Sequence, residues 1–212
     1  MAIKPILFST PMVQAIIRGD KTMTRRVVKE RGYTIDGRPN WGDRTDDGRF
    51  WFGVSNDSIS TYIAIKPKYK AGDVLWVRET WCELPVLPDG SSSGGRTHVY
   101  YKADGDDRPD GWRGNWQPSI FMPKAAARIF LRVKGVSAER LHDITEDQAL
   151  KEGLAYEVFG FVPFPLEITA RENFETLWKN LNGTRDGGAF KWENNPWVWV
   201  IEFERCEKPD NF

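Results

Sequence analysis

The chain has 212 residues, a length that suits one domain with large loops or, as the less favoured option, two small domains. Its 30 basic and 30 acidic side chains cancel, which argues against a bulk electrostatic binder of nucleic acid but leaves room for a local basic patch or a nucleotide-sized ligand. There is no cleavable signal pattern and no apolar run of about 18 residues, so we expect a cytoplasmic protein without a membrane partner.

The cysteine and tryptophan contents bear on ligand chemistry. Cys82 and Cys206 lie far apart and, with only two histidines beside them, show no zinc-ligand spacing. We therefore expect no metal and no cofactor, although counting leaves a carboxylate site open. Most of the ten tryptophans should be core anchors. Three stand in polar, glycine-rich surroundings, where they either pack down long loops, the favoured interpretation, or stack on bases: Trp41, Trp112 and Trp116.

The first predicted elements lead into the most unusual stretch of the chain. Thr10 and Pro11 suit the cap and the first position of a helix that Gly19 ends. Residues 22–28 are then alternating and β-branched, which predicts a strand. Residues 19–26, at this junction, combine an amine, two hydroxyl groups and two guanidinium groups.

Two interpretations of this stretch are open from the residues alone. Alternation places Thr22, Thr24 and Arg26 on one face of the strand, with Lys21 in the turn before it. These side chains either lie on a solvent-exposed face of the strand or form a pocket for an oxyanion or a phosphate. In a pocket, Arg25 and Arg26 would supply forked donors, the lysine a movable cation, and a threonine a hydroxyl that can bond or attack.

The rest of the chain predicts an α+β protein, which we expect to be one domain over residues 1–212. Polar, glycine-rich insertions are expected at about residues 29–70 and at about residues 83–118. The first of them should contain a pair of short strands. A capping box of Thr145 and Gln148 predicts a short acidic helix that ends at Gly153. The other predicted elements are strands at 74–81, 99–102, 128–136 and 197–204 and an amphipathic helix at 169–182.

Two charged residues interrupt the apolar pattern of the strand predicted over residues 74–81. Arg78 and Glu79 stand near its end, after a run that is apolar on both faces. Charges at the point where a buried strand emerges either line a site or form ion pairs at the strand end. Both interpretations are kept for this pair.

Four segments in the same order resemble the ASCH family. They are Gly19-x-Lys21-Thr22-x-Thr24-x-Arg26, the run from Gly72 to Trp81, the short helix that ends in Glu152-Gly153, and the closing strand over residues 197–204. The resemblance spans nearly the whole chain and is strongest to the long members common in bacteriophage genomes. It implies a PUA-like mixed β-barrel with short helices packed at the barrel openings, and a cleft for RNA or a modified nucleoside.

One branch of this family is an amidohydrolase that removes the acetyl group of N4-acetylcytidine. The resemblance implies that Lys21 takes a proton from Thr24, that Thr24 attacks the acetyl carbonyl, and that Glu152 protonates the leaving amine. Arg25 and Arg26 would help to lower the pKa of the lysine, and Arg26 would hold an oxyanion or a phosphate. The remaining residues expected to bind substrate are Thr22, Arg78, Glu79 and Trp116.

Other functions are compatible with the same residues. The chain is much longer than the small amidohydrolases, and its inserted loops would enlarge the pocket, admit single-stranded RNA or DNA, or close the site. The alternative to catalysis is a binding module for RNA or DNA, or a phage accessory protein that acts on a host factor. A virion component is less favoured, because such a role needs no combination of Lys21 and Thr24.

Overall fold

The computed structural model describes residues 1–29, 34–35, 48–55, 60–86, 96–108, 115–154, 157–159 and 166–212. Over these residues the protein is mixed α+β, with many strands and few helices, which confirms the predicted fold class at that level. In chain order the elements are β1 (Ile3–Leu7), α1 (Thr10–Arg18), β2 (Met23–Val27), β3 (Thr34–Ile35), β4 (Phe50–Ser55), β5 (Ser60–Ile65), β6 (Val74–Arg78), β7 (Trp81–Val86), β8 (Arg96–Tyr101), β9 (Phe130–Arg140), α2 (Glu146–Lys151), β10 (Glu157–Phe159), β11 (Leu166–Ile168), α3 (Ala170–Asn182) and β12 (Trp197–Cys206).

The chain forms two compact units, each assembled from separate stretches of sequence. Unit 1 comprises Met1–Gly19, Asp73–Arg132 and Glu204–Phe212. Unit 2 comprises Asp20–Gly72 and Val133–Phe203. The predicted organisation as one domain stays a prediction.

In unit 1, strands β1, β6 and the first residues of β9 pair in that order. β1 runs parallel to β6, and β6 runs antiparallel to β9 with Trp76 opposite Phe130. Both of these rings belong to a buried apolar cluster with Val74. A strand with apolar residues on both faces is thus covered on both faces, as its sequence predicts. Strands β7 and β8 form a separate antiparallel pair.

Two sequence predictions in unit 1 are corrected at element ends. Ser9, in an extended conformation, occupies the N-cap of α1, so the predicted cap at Thr10 is wrong by one residue. The strand predicted over residues 74–81 is two strands, because β6 ends at Arg78 and β7 begins at Trp81. Between them the Glu79 amide donates to Met122 Sδ (3.2 Å) and not to a carbonyl of a neighbouring strand.

In unit 2, strands β9, β12 and β2 pair in that order. β12 runs antiparallel to β2, with Ile201 opposite Thr24, and β3, β4 and β5 form a second sheet. The predicted capping box of Thr145 and Gln148 is confirmed at the start of α2. Helix α3 is also confirmed, and it buries Phe174 and Trp178.

One apolar cluster joins the elements of unit 2 that carry the candidate site. It draws residues from β2, α2, α3 and β12 and from the segments between them. Burial of this much aliphatic and aromatic surface is the main stabilising term for the unit. The cluster consists of Met23, Leu141, Ile144, Ala149, Ala170, Phe174, Trp178, Trp192, Val198 and Val200.

Candidate functional site

The candidate site lies in unit 2, where the start of β2 meets the C-terminal end of α2. Lys21 forms an isolated antiparallel bridge with Glu152, and the Thr22 amide donates to the Lys151 carbonyl (2.9 Å). The capping box at the other end of α2 specifies where this short helix begins. Backbone pairing therefore determines which side chains of β2 and α2 meet.

Lys21 is a buried cation with three oxygen acceptors around its amine. Only 2% of the residue is exposed. Its Nζ donates to the Met23 carbonyl (2.8 Å), to the Glu152 carbonyl (2.8 Å) and to Glu152 Oε2 (2.7 Å). The first of these contacts places Nζ against the peptide group that leads into Thr24. The sequence predicts Lys21 in the turn before the strand, and the structure shows that its side chain is buried there.

The Glu152 carboxylate joins two cations. Oε2 accepts from Lys21, and Oε1 accepts from Arg25 Nη1 at 3.2 Å. Glu152 is 5% exposed, so these contacts are largely shielded from water. The carboxylate that the resemblance implies at position 152 thus lies beside Lys21. The carboxylate therefore joins the end of α2 to two side chains at the start of β2.

Arg25 is enclosed by protein groups. Its side chain has no exposed surface, and besides Glu152 it donates from Nε to Glu139 Oε1 (2.9 Å) and from Nη2 to Gln148 Oε1 (2.9 Å). Its guanidinium carbon lies 5.7 Å from the centre of the Phe174 ring. The sequence suggested that Arg25 binds substrate, and the structure provides it with protein partners instead.

Thr24 and Arg26 lie together on the strand, as the alternation of β2 predicts. Arg26 Nη1 donates to Thr24 Oγ1 (2.6 Å) and to the Arg25 carbonyl (2.9 Å). Thr24 is 1% exposed, whereas Thr22, one position before the strand, is exposed. The hydroxyl of Thr24 accepts from a guanidinium and retains its own proton, which a base would have to remove before the oxygen could attack.

Opposing effects act on the pKa of Lys21. Burial is the largest and lowers the pKa below its ordinary value of 10.5. The Glu152 carboxylate raises it, and Arg26 and Arg25 lower it further. The net direction is downward, since an ammonium removed from water loses more than one carboxylate restores.

Two further residues, Tyr69 and Arg185, affect the pKa of Arg26. Burial lowers the pKa of Arg26, Glu152 and Tyr69 raise it, and Arg185 lowers it. The Tyr69 hydroxyl responds in turn, since burial raises its pKa and Arg26 lowers it. A positively charged residue close to a second arginine suits the binding of an anionic group.

No family model, curated protein or solved structure matches this chain. The resemblance to the ASCH family therefore stays a prediction. No helix in the described part of the chain is long and apolar enough to cross a membrane. Among the described residues, no three His, Cys, Asp or Glu side chains are grouped as a metal site would require.

Arg78 and Glu79 belong to unit 1 and have partners there. Glu79, 1% exposed, accepts from Nε and Nη2 of Arg128, each at 3.0 Å. Burial raises the pKa of Glu79, and Arg128 opposes that rise. Arg78 donates to the Ile120 carbonyl. For Glu79 the structure shows the ion-paired arrangement that the sequence left open.

Trp116 also lies in unit 1. The guanidinium carbon of Arg108 is 4.2 Å from the centre of the Trp116 ring, and Arg108 is itself paired with Asp106 (2.6 Å). One face of the ring is therefore covered by a cation, and the role of Trp116 in packing a loop stays a prediction. Trp41 and Trp112 lie outside the described residues.

Sequence reasoning missed four residues around Arg25 and Arg26. Gln148 was assigned only to a helix cap, although its side chain also accepts from Arg25. Glu139, Tyr69 and Arg185 had no motif around them, and each comes from a different part of the chain. The signal for Arg185 was limited to its position in a glycine-rich segment after α3, which by itself indicates only a turn.

Proposed function

We propose that this protein is an ASCH-type amidohydrolase of PUA-like fold, which acts in the cytoplasm and removes the N-acyl group from a modified nucleoside such as N4-acetylcytidine. The observation that carries the proposal is the buried contact of 2.7 Å between Lys21 Nζ and Glu152 Oε2, next to the peptide that leads into Thr24. Structural ion pairs are usually placed at surfaces, where water solvates them. A buried lysine with a lowered pKa, three positions before a buried threonine, is a combination that suits acyl transfer.

The PUA-like barrel belongs to the same proposal. Its support is the antiparallel pairing of β12 with β2 and the short helix α2, whose C-terminal end bridges to the residue before β2. This arrangement brings a strand end, a helix end, Lys21 and Thr24 together in one unit. A barrel with helices at its openings would leave those groups at the mouth of a cleft.

In the first chemical step the neutral Lys21 amine accepts the proton of the Thr24 hydroxyl. The oxygen forms a bond to the acyl carbon of the substrate, and the carbonyl electron pair moves to the oxygen of the tetrahedral intermediate. Arg26, which contacts Thr24 Oγ1 at 2.6 Å, is placed to stabilise that negative charge. The lowered pKa of Lys21 favours the neutral amine that this step needs.

In the second step the carbon–nitrogen bond breaks as the carbonyl re-forms. The proton held by Lys21 passes to Glu152 across their 2.7 Å contact and from Glu152 to the leaving nitrogen. Water then attacks the ester on Thr24, with Lys21 as the base, and Thr24 regains its proton as the carboxylic acid leaves. One water is consumed, and the products are one acid and one free amine.

A second candidate function is binding without catalysis. Its support is the set of three acceptors around Lys21 Nζ, which matches the three N–H donors of an ammonium ion. A permanently charged Lys21 would not act as a base, and the site would then recognise RNA, DNA or a nucleoside through Arg26. In that case Arg26→Ala weakens binding of single-stranded RNA or DNA, with a loss that shrinks as salt rises.

The test incubates the purified protein with a panel of free nucleosides that includes N4-acetylcytidine and follows the products by mass spectrometry. We expect loss of the acetyl mass with the wild type, and a fall in rate on the order of 100-fold or more in Lys21→Ala and Thr24→Ala. Lys151→Ala, which changes an exposed neighbour of Glu152, is the control and should retain activity. No conversion by folded wild type would overturn the amidohydrolase proposal and leave the binding function to be measured.

A further inference from the structure

Arg25 is notable because every N–H donor of its guanidinium is engaged inside the protein. Nε donates to Glu139 Oε1 (2.9 Å), and Nη2 donates to Glu139 Oε1 (2.5 Å) and to Gln148 Oε1 (2.9 Å). Nη1 donates to Glu152 Oε1 (3.2 Å) and to Met23 Sδ (3.6 Å). Five contacts account for the five donors of an arginine, so the group has no donor left for a substrate.

The partners of Arg25 connect two ends of the same helix. Gln148 and Glu152 are four positions apart and so share one face of α2. Gln148 Oε1 also accepts from the Thr145 amide (3.0 Å), which anchors it at the helix start. Glu139 holds the arginine from β9, and the Phe174 ring lies against its guanidinium.

We propose that Arg25 is a positioning residue of the amidohydrolase site: locked by Glu139 and Gln148, it directs the Glu152 carboxylate toward Lys21. This inference rests on the proposed function. With Oε1 held by Arg25, only Oε2 faces the lysine, at 2.7 Å. Nε and Nη2 of Arg25 both donate to one oxygen of Glu139, which fixes the planar guanidinium and with it the direction of the single Nη1 contact to Glu152. A lysine at the same position would not fix that direction.

The charge of Arg25 has a second effect that can be separated from its geometry. The charged groups that act on Lys21 are Glu152 from the end of α2 and Arg25 and Arg26 from β2. Further out, Glu139 acts through Arg25, and Tyr69 and Arg185 act through Arg26. Removal of the Arg25 charge should therefore raise the pKa of Lys21, whereas exchange of arginine for lysine should leave it nearly unchanged.

Two variants separate the effect of the Arg25 geometry from the effect of its charge. Arg25→Lys keeps the charge but loses the fork, so we expect kcat to fall on the order of 10- to 100-fold, with KM and the pH profile unchanged. Arg25→Met loses both, so kcat should fall and the rising limb of the pH–rate profile should move to higher pH. Arg132→Met, on the exposed surface of β9, is the matched control and should behave as wild type.

A measurement without substrate separates this inference from the proposed function. The 13Cε signal of Lys21, assigned by its loss in Lys21→Arg, is titrated in wild type, Arg25→Lys and Arg25→Met. The midpoint should rise only in Arg25→Met. If wild type deacetylates no nucleoside, the proposed function fails whatever the titration shows.

If wild type is active and both Arg25 variants keep its kcat, the positioning role is overturned. A raised KM at constant kcat would overturn it as well, since Arg25 would then act in binding. Should the Arg25 variants not fold, Glu139→Gln tests the same lock, because it removes the charge that holds Arg25 at a side chain that is 20% exposed and keeps an oxygen acceptor for the guanidinium. Unchanged kcat in that variant would also overturn the inference.

Discussion

At the scale of single residues, the unusual feature is a lysine that is 2% exposed and whose three amine donors all meet oxygen. Enclosing an ammonium costs several kcal/mol before its partners are counted. If position 21 had only to fill space in the interior, an apolar side chain would make the protein more stable. The cost is understandable if the same burial lowers the pKa of Lys21 toward the range in which an amine can act as a base.

The pH dependence of activity follows from the sign of this shift. Lys21 must be neutral to accept the Thr24 proton, so the rate of deacetylation should rise with pH and level off above the pKa of the lysine. Because burial lowers that pKa, the plateau should begin below the ordinary value of 10.5. The measurement is kcat/KM for N4-acetylcytidine against pH, with Lys151→Ala as control. A rate that is independent of pH up to 10.5 would exclude Lys21 as the base.

At the scale of elements, the site depends on where α2 ends. α2 ends with Glu152 facing Lys21 because its capping box sets the helix start. α1 ends at Gly19, whose φ of 89° lies in the left-handed region and whose amide donates to the carbonyls of Ala15 and Ile16. The chain then continues through Asp20 to Lys21. Helix ends, more than helix interiors, determine which charged groups enter the site.

Gly19→Ala tests this helix end. A Cβ at position 19 would meet nothing within 4 Å, so the cost comes only from the left-handed conformation. We expect the free energy of unfolding to fall by about 1 kcal/mol. Gly135→Ala in β9 also has open space around its Cβ but lacks the positive φ, so it should change stability by less than about 0.5 kcal/mol. Equal effects in urea unfolding would contradict the conformational explanation.

At the scale of the whole molecule, unit 2 is organised around the apolar cluster that carries α2, α3, β2 and β12. The polar network of the site lies against this cluster, since the Arg25 guanidinium is 5.7 Å from the Phe174 ring. Tight packing holds side chains in single rotamers, and the positions of charged groups beside such a core are correspondingly well defined. Stability and site geometry are thus linked in this unit.

Phe174→Ala tests that link. Loss of a buried aromatic ring from the cluster should lower the free energy of unfolding by about 3–5 kcal/mol. It should also lower deacetylation in protein that is still folded, because Arg25 loses the ring against which it lies. Leu181→Ala changes the same helix at a side chain that is 48% exposed, and its cost should stay below about 1 kcal/mol. The check is urea unfolding followed by tryptophan fluorescence, together with an activity assay.

Local features of this protein could be predicted from its sequence. The α+β class, the strand that contains Thr24, the capping box of α2 and the amphipathic face of α3 follow from periodicity and from caps, which act between residues close in the chain. Boundaries were less well determined, as β6 and β7 show. Whether a strand continues past Arg78 depends on the partners of Glu79, and the side chain of Arg128 is 49 positions away.

Only the tertiary structure decided how the charged residues pair. Lys21 meets Glu152 across 131 positions, and Arg25 meets Glu139 across 114. No periodicity or cap records such a contact, because it arises from strand pairing and from the packing of α2 on the shared core. The residue types of the site could therefore be predicted from a short motif. The burial of Lys21, and the engagement of every donor of Arg25, depended on the folded chain as a whole.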